Sequence, residues 1–159
     1  MKVLYICTHN RCRSILSEAL TNALNSPHLS AQSAGSQPAG EVHPLTLTYL
    51  KEANIPVAGL KSQSWDDFES FQPDVVITVC DSAAGETCPV YFGRALKLHW
   101  GLADPSKIQG SEENKARAFR KTISIIQARV NALEEIAQQN LPQSQLKDAL
   151  LALSKNNSL

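Results

Sequence analysis

No run of roughly 18 apolar residues, the length that spans a bilayer, occurs in the sequence. That argues against a membrane-spanning helix. Excess charge of either sign is lacking as well: 15 basic residues balance 15 acidic ones, and the sequence pI is near 6.9. Such a chain has no bulk field to hold nucleic acid or an anionic membrane surface, so any bound anion must be gripped by local geometry. The apolar run Lys2–Ile6 is too short for a signal-peptide core and lacks a small-residue cleavage pattern, so a cytoplasmic location is expected. No Cys-x2-Cys pair is present and the Cys7/Cys12 spacing does not suit a zinc knuckle, so neither a metal nor a cofactor is expected. Internal repeats and low-complexity tracts are missing too.

What remains is a sequence of 159 residues, 43% hydrophobic and 19% charged, sized for one globular domain. Residues 2–6 read as a short buried strand, and Ile15, Leu16, Ala19, Leu20 and Ala23 fall at helical spacing just after it. A second strand is expected near 29–34 and a helix over 43–54, with Pro44 in its first turn. Pro73 introduces the clearest strand, 74–79, and residues 95–99 suggest a fourth. The periodicity predicts a long helix over 112–138 and a short amphipathic helix after Leu141 that frays from Ser154 onward. Strands alternating with helices indicate a single α/β domain with a four-stranded, mostly parallel sheet and helices on both faces. The division expected is a domain over 1–140 and a helical extension over 141–159.

Between the first strand and the first helix lies Cys7-Thr8-His9-Asn10-Arg11-Cys12-Arg13-Ser14. A turn in this position presents backbone N–H groups at a helix N-terminus, where an anion is favoured. The same field, with Arg13 nearby, predicts a stabilised Cys7 thiolate. The planar fork of Arg13 can hold two oxygens of a tetrahedral anion, and the Ser14 hydroxyl can donate to the thiolate. A bare Cys-x5-Arg is a weak signal. Its position, after a strand and before a helix at the carboxyl end of the sheet, is what gives it weight.

The run Cys7-x-x-Asn10-x-Cys12-Arg13-Ser14 resembles the signature of the low-molecular-weight protein tyrosine phosphatases and the arsenate reductases sharing their fold. The resemblance covers residues 2 to about 138. It implies a phosphatase-like fold, Cys7 as nucleophile and Arg13 as the oxyanion ligand within a cradle of Thr8, His9, Asn10, Arg11, Cys12, Arg13 and Ser14. Asn10 would hold a strained backbone conformation that asparagine tolerates. His9 stands where a small residue such as glycine is common in the family. Asn10, Glu18 and Ser33 match a cation site of some relatives, but Ser64 stands where an aspartate is expected, so no cation is expected.

Cys80 and Cys88 bear on the reaction. A strand parallel to the first brings Cys80 to the sheet edge that carries Cys7, and the small, polar linking segment can bend Cys88 toward it. A phosphatase needs one reactive thiol, whereas reducing arsenate to arsenite takes two electrons, which two thiols supply by forming a disulfide. The stretch through Cys80, Cys88-Pro89 and His99-Trp100-Gly101-Leu102-Ala103-Asp104-Pro105 resembles the thioredoxin-coupled arsenate reductases. That resemblance implies Asp104 as general acid and a Cys7/Cys80/Cys88 relay serving arsenic detoxification, with phosphate as a competing anion. The gap of seven residues between Cys80 and Cys88 leaves the reductant open between thioredoxin and glutaredoxin with glutathione. A low-molecular-weight tyrosine phosphatase is the alternative reading.

Overall fold

The computed structural model describes residues 1–80, 85, 89 and 92–156. Four strands, β1 (Lys2–Ile6), β2 (Ser30–Ala34), β3 (Val75–Thr78) and β4 (Leu96–His99), form one sheet in the order β2-β1-β3-β4. All three pairings are parallel. The interior strands explain their sequences. Val3 through Ile6 of β1 and all of β3 are buried, so both read as unbroken aliphatic runs, as strands covered on both faces must. Edge strand β4, by contrast, buries only Leu98 fully.

Helices α1 (Arg13–Ala23), α2 (Pro44–Glu52), α3 (Glu112–Gln138) and α4 (Gln143–Asn156) complete the frame. Helix α1 packs on β1, β2 and α3. The Tyr5 hydroxyl, at 2.8 Å from Thr21 Oγ1, pins it to the sheet. Tyr49 of α2 stacks on Phe119 of α3 with ring centroids 4.9 Å apart. Helix α3 keeps its predicted limits because Phe119, Ile126, Val130, Leu133 and Ala137 recur on one buried face, while Ser111 caps its start.

Two features depart from the sequence reading. A 3-10 segment, Trp65–Phe71, fills the stretch before β3 and ends at Gln72 in a left-handed conformation. The C-terminal helix does not fray at Ser154 but continues to Asn156. It packs on α3 and β4 through buried Leu150, and Ser154 Oγ donates to the His99 carbonyl at 3.1 Å. No helix among the described residues is long and apolar enough to cross a membrane.

Parallel register fixes what meets at the carboxyl edge. Ile6 stands beside Thr78 and Thr78 beside His99. One residue beyond β1 lies Cys7, two beyond β3 lies Cys80, and five beyond β4 lies Asp104. Three chemically capable groups from distant parts of the chain thus reach one end of the sheet.

Candidate active site

Residues 8–12 form a loop whose carbonyl groups are tied outward. Thr8 O accepts from Gln37 N, His9 O from Ala39 N and Arg11 O from His43 N, each at 2.9 Å. Because a trans peptide points its N–H opposite to its C=O, the N–H groups of His9, Asn10 and Cys12 are turned to the inner side of the loop. The His9 N–H bonds the Cys7 sulfur there. Helix α1 begins next, and its N-cap residue, Cys12, supplies no side-chain cap. The helix N-terminus therefore adds its positive end to the same concavity.

The loop is held by a network the sequence only hinted at. Asn10 is fully buried with φ +46°, the left-handed conformation expected of it. Its Nδ2 donates to Ser14 Oγ at 2.8 Å and Ser33 Oγ at 2.9 Å, and its Oδ1 accepts from Gln63 N at 2.8 Å. Since Ser14 Oγ accepts from Asn10, its own proton is left to point elsewhere in the site. Ser33 donates onward to Glu18 at 2.6 Å. Asn10, Glu18 and Ser33, the positions that matched a cation pattern, thus bond one another. Ser64 is used differently, as the cap of the 3-10 segment through Asp66 N.

Gly35 is a residue that sequence reasoning missed. A Cβ there would lie 2.5 Å from Thr8 O and 2.7 Å from Cys7 O. Only glycine lets β2 end against the back of the loop. In the sequence alone, a glycine just after a strand carries no more than a turn signal.

Burial pushes the Glu18 carboxyl above its usual 4.5, against the opposing pull of Ser33. The folded protein then holds that proton more tightly than the unfolded chain does, so ionising Glu18 as pH rises works against folding. Glu18→Gln is expected to melt at a higher temperature than wild type at pH 8. The difference should vanish near pH 4, where the carboxyl is protonated in both states; scanning calorimetry at the two pH values checks it.

Cys7 is buried and its thiol is pushed up from the ordinary cysteine value, not down as its position alone predicted. Its hydrogen-bond contact with Cys80 contributes most, then burial; Arg13 and the His9 N–H pull the other way without prevailing. The facing Cys80 thiol and the burial of the pair both favour the protonated form of Cys7, and neither belongs to the local field of the loop. Cys80 lies with Thr8 Oγ1 3.7 Å from its sulfur. Cys12 sits under the loop, pushed up to about 12, chiefly by burial. Among the described cysteines no disulfide is present. Cys88 lies outside the described residues.

Arg13 reaches from the first turn of α1 to the loop after β4. Its Nη1 donates to Leu102 O at 2.9 Å, and its Nη2 is 3.6 Å from Asp104 Oδ2. Asp104 caps a 3-10 turn, Pro105–Lys107, while its other oxygen faces Arg13. His9 Nδ1 pairs with Gln37 O at 3.0 Å. His43 caps α2 by accepting from Leu45 N at 3.1 Å, and the charges of Arg11 and Asp104 both act on it. Thr46 bonds the Cys12 side chain and, at 3.3 Å, Arg11 O, so α2 is docked on the cradle.

A thiol at a strand end, an N–H cradle running into a helix, an arginine on the rim and an aspartate on a facing loop are the groups that a phosphatase-type oxyanion site requires. The chain belongs to the low molecular weight phosphotyrosine protein phosphatase family, whose model matches residues 2–145. It is 32% identical over 135 residues to an arsenate reductase of Halalkalibacterium halodurans, a match covering 84% of this chain and 96% of that protein. Its fold resembles the thioredoxin-dependent arsenate reductase Cg_ArsC1' of Corynebacterium glutamicum, with TM-score 0.67 and 28% identity. That match covers 88% of this chain and 63% of the other. It also overlays a low molecular weight phosphotyrosine phosphatase of Vibrio cholerae O395 with TM-score 0.72 and 18% identity, covering 89% of this chain and 99% of that one. The frame is thus common to phosphatases and reductases, and fold alone does not choose between them.

Proposed function

We propose that the protein reduces arsenate to arsenite through Cys7 and a relay of Cys80 and Cys88, in the service of arsenic detoxification. The observation that carries this reading is the Cys7–Cys80 contact: a phosphatase has no use for a second thiol against its nucleophile. The relatives named as arsenate reductases support it.

Arsenate enters with its oxygens on Arg13 and the N–H groups of residues 8–14. The dianion is itself a base and takes the Cys7 proton, which the resting thiol pair retains. The Cys7 sulfur attacks arsenic; an S–As bond forms and one As–O bond breaks. The departing hydroxyl receives a proton from Asp104 and leaves as water, with arsenic still pentavalent. Cys80 then attacks the Cys7 sulfur. An S–S bond forms, the S–As bond breaks and its electron pair stays on arsenic, so arsenite leaves and two thiols have been oxidised. The Cys80 proton departs with arsenite. Cys88 attacks Cys80, returns Cys7 to the thiol and leaves a Cys80–Cys88 disulfide. An external dithiol, thioredoxin or glutaredoxin with glutathione, reduces it. Phosphate fits the same cradle but cannot accept the two electrons, so it competes. A cytoplasmic setting accords with such a cycle, because these thiols must be kept reduced.

The test is arsenite formation by the purified protein supplied separately with thioredoxin and its reductase, or with glutaredoxin and glutathione. Turnover with at least one system, inhibited by phosphate, is expected. Steady hydrolysis of phosphotyrosine peptides with no arsenite from either system would instead favour the phosphatase reading.

A further inference from the structure

The acid loop carries one side chain that neither the motif nor the reaction scheme assigns. Asp104 Oδ1 accepts two hydrogen bonds from Ser106, from the backbone N–H at 2.9 Å and from the hydroxyl at 2.6 Å. The other oxygen, Oδ2, faces Arg13 at 3.6 Å. A carboxyl oxygen already accepting two hydrogen bonds is a poor seat for a proton, since its lone pairs are engaged. The two oxygens of Asp104 are therefore not equivalent. A carboxyl also turns about its last bond with little resistance, as torsions ending on a planar group do. Something must hold it for the same oxygen to meet the substrate each time.

We propose that Ser106 is a positioning residue for Asp104: its hydroxyl occupies Oδ1 and so makes Oδ2, beside Arg13, the oxygen that carries and delivers the proton. The inference rests on the reading of Asp104 as general acid. In the step concerned, the proton moves from Oδ2 to the departing arsenate hydroxyl as the Cys7–arsenic bond forms and the As–O bond breaks, and water leaves. Ser106 neither gains nor loses a proton.

Several details support this reading over a simple turn cap. The backbone N–H of Ser106 already caps the 3-10 turn, as an Asp-Pro-x lead-in does for any residue x. The hydroxyl bond is additional and is the shorter of the two. Arg13 is itself fixed to the same loop by Leu102 O, so Oδ2 and the guanidinium are presented together. The groups whose charge interacts with Asp104 across the site are Arg13, His43 of α2 and Cys12 beneath the cradle. None of these contacts Oδ1 in the way that Ser106 does.

Steady-state arsenate reduction by Ser106→Ala, Ser106→Thr and Asp104→Ala tests the proposal, with melting temperature and the solvent deuterium effect measured on each. Ser106→Ala keeps the backbone donor, so a partial loss is expected: kcat falls about tenfold while KM for arsenate stays within about twofold. The solvent deuterium effect on kcat should rise as proton delivery slows, and Ser106→Thr, which retains the hydroxyl, should restore kcat to within about twofold. Wild-type kcat in Ser106→Ala, or equal losses in the Ala and Thr variants, would overturn the proposal. A loss confined to KM would overturn it as well. Asp104→Ala separates the two readings. If it loses about 10²-fold or more while Ser106→Ala is unimpaired, only the positioning role fails; if it retains full activity, the acid and its positioning fail together.

Discussion

Cys7→Ser is expected to lower arsenite formation by about 10⁴-fold or more, the scale on which removing a covalent nucleophile acts. The serine oxygen fits the space of the sulfur, and the backbone bond from residue 7 N–H to Ala34 O, 3.2 Å in the native chain, needs no side chain. The fold and cradle should therefore persist. Phosphate binding measured by calorimetry should stay within about threefold of wild type, because Arg13 and the loop N–H groups are untouched. Unchanged binding with no reduction locates the defect in chemistry. A hydroxyl can neither form the arsenic–sulfur bond nor surrender the electrons that arsenic requires.

Cys80→Ser should produce the second-largest effect, about 10³-fold in turnover, and for a different reason. The first step remains open to it, since nucleophile, arginine and acid are all in place. What fails is release of trivalent arsenic, because no thiol stands against Cys7 to take up its sulfur. Cys12 is no substitute: it is buried beneath the loop and bonded to Thr46. The variant should also make Cys7 easier to ionise, because the neighbour that pushes its thiol up most is gone. Alkylation of Cys7 by iodoacetamide at pH 7 should then be faster than in wild type. Slow alkylation together with normal turnover would contradict both halves of this expectation.

The sequence exposed those parts of the site that lie close together in the chain. The strand ending at Ile6, the cradle from Cys7 to Ser14 and the helix after it occupy adjacent positions, and each carries a local signature. The limits of α3 were legible because its buried face repeats for 27 residues. The family resemblance also supplied Asp104, which no local pattern could establish, while the parallel pairing of β1 with β3 brings Cys80 to the edge that carries Cys7. What stayed hidden depends on contacts between remote segments. Gly35 matters only because β2 ends against Cys7 and Thr8. His43 and Thr46 matter because α2 docks on Arg11 and Cys12, and Gln63 because its N–H satisfies Asn10. Arg13 and the helix end are the influences on the Cys7 thiol that lie near it in the sequence, whereas the larger ones are a sulfur 73 positions away and burial. No local pattern gives Ser106 a role toward Asp104, because two residues after an aspartate a serine is ordinary turn chemistry.

The claim that two thiols of this chain are the electron source is tested most directly by a single turnover without external reductant. Fully reduced protein is mixed with excess arsenate; arsenite and remaining thiols are counted, and the disulfide is mapped by mass spectrometry. One arsenite per chain, with loss of two thiols and a Cys80–Cys88 disulfide, is the predicted result. In the chain with Cys88→Ser the disulfide should instead stop at Cys7–Cys80, again with one arsenite released. All thiols retained with no arsenite formed, while phosphotyrosine peptide is hydrolysed by a Cys80→Ser, Cys88→Ser chain as fast as by wild type, would contradict the account.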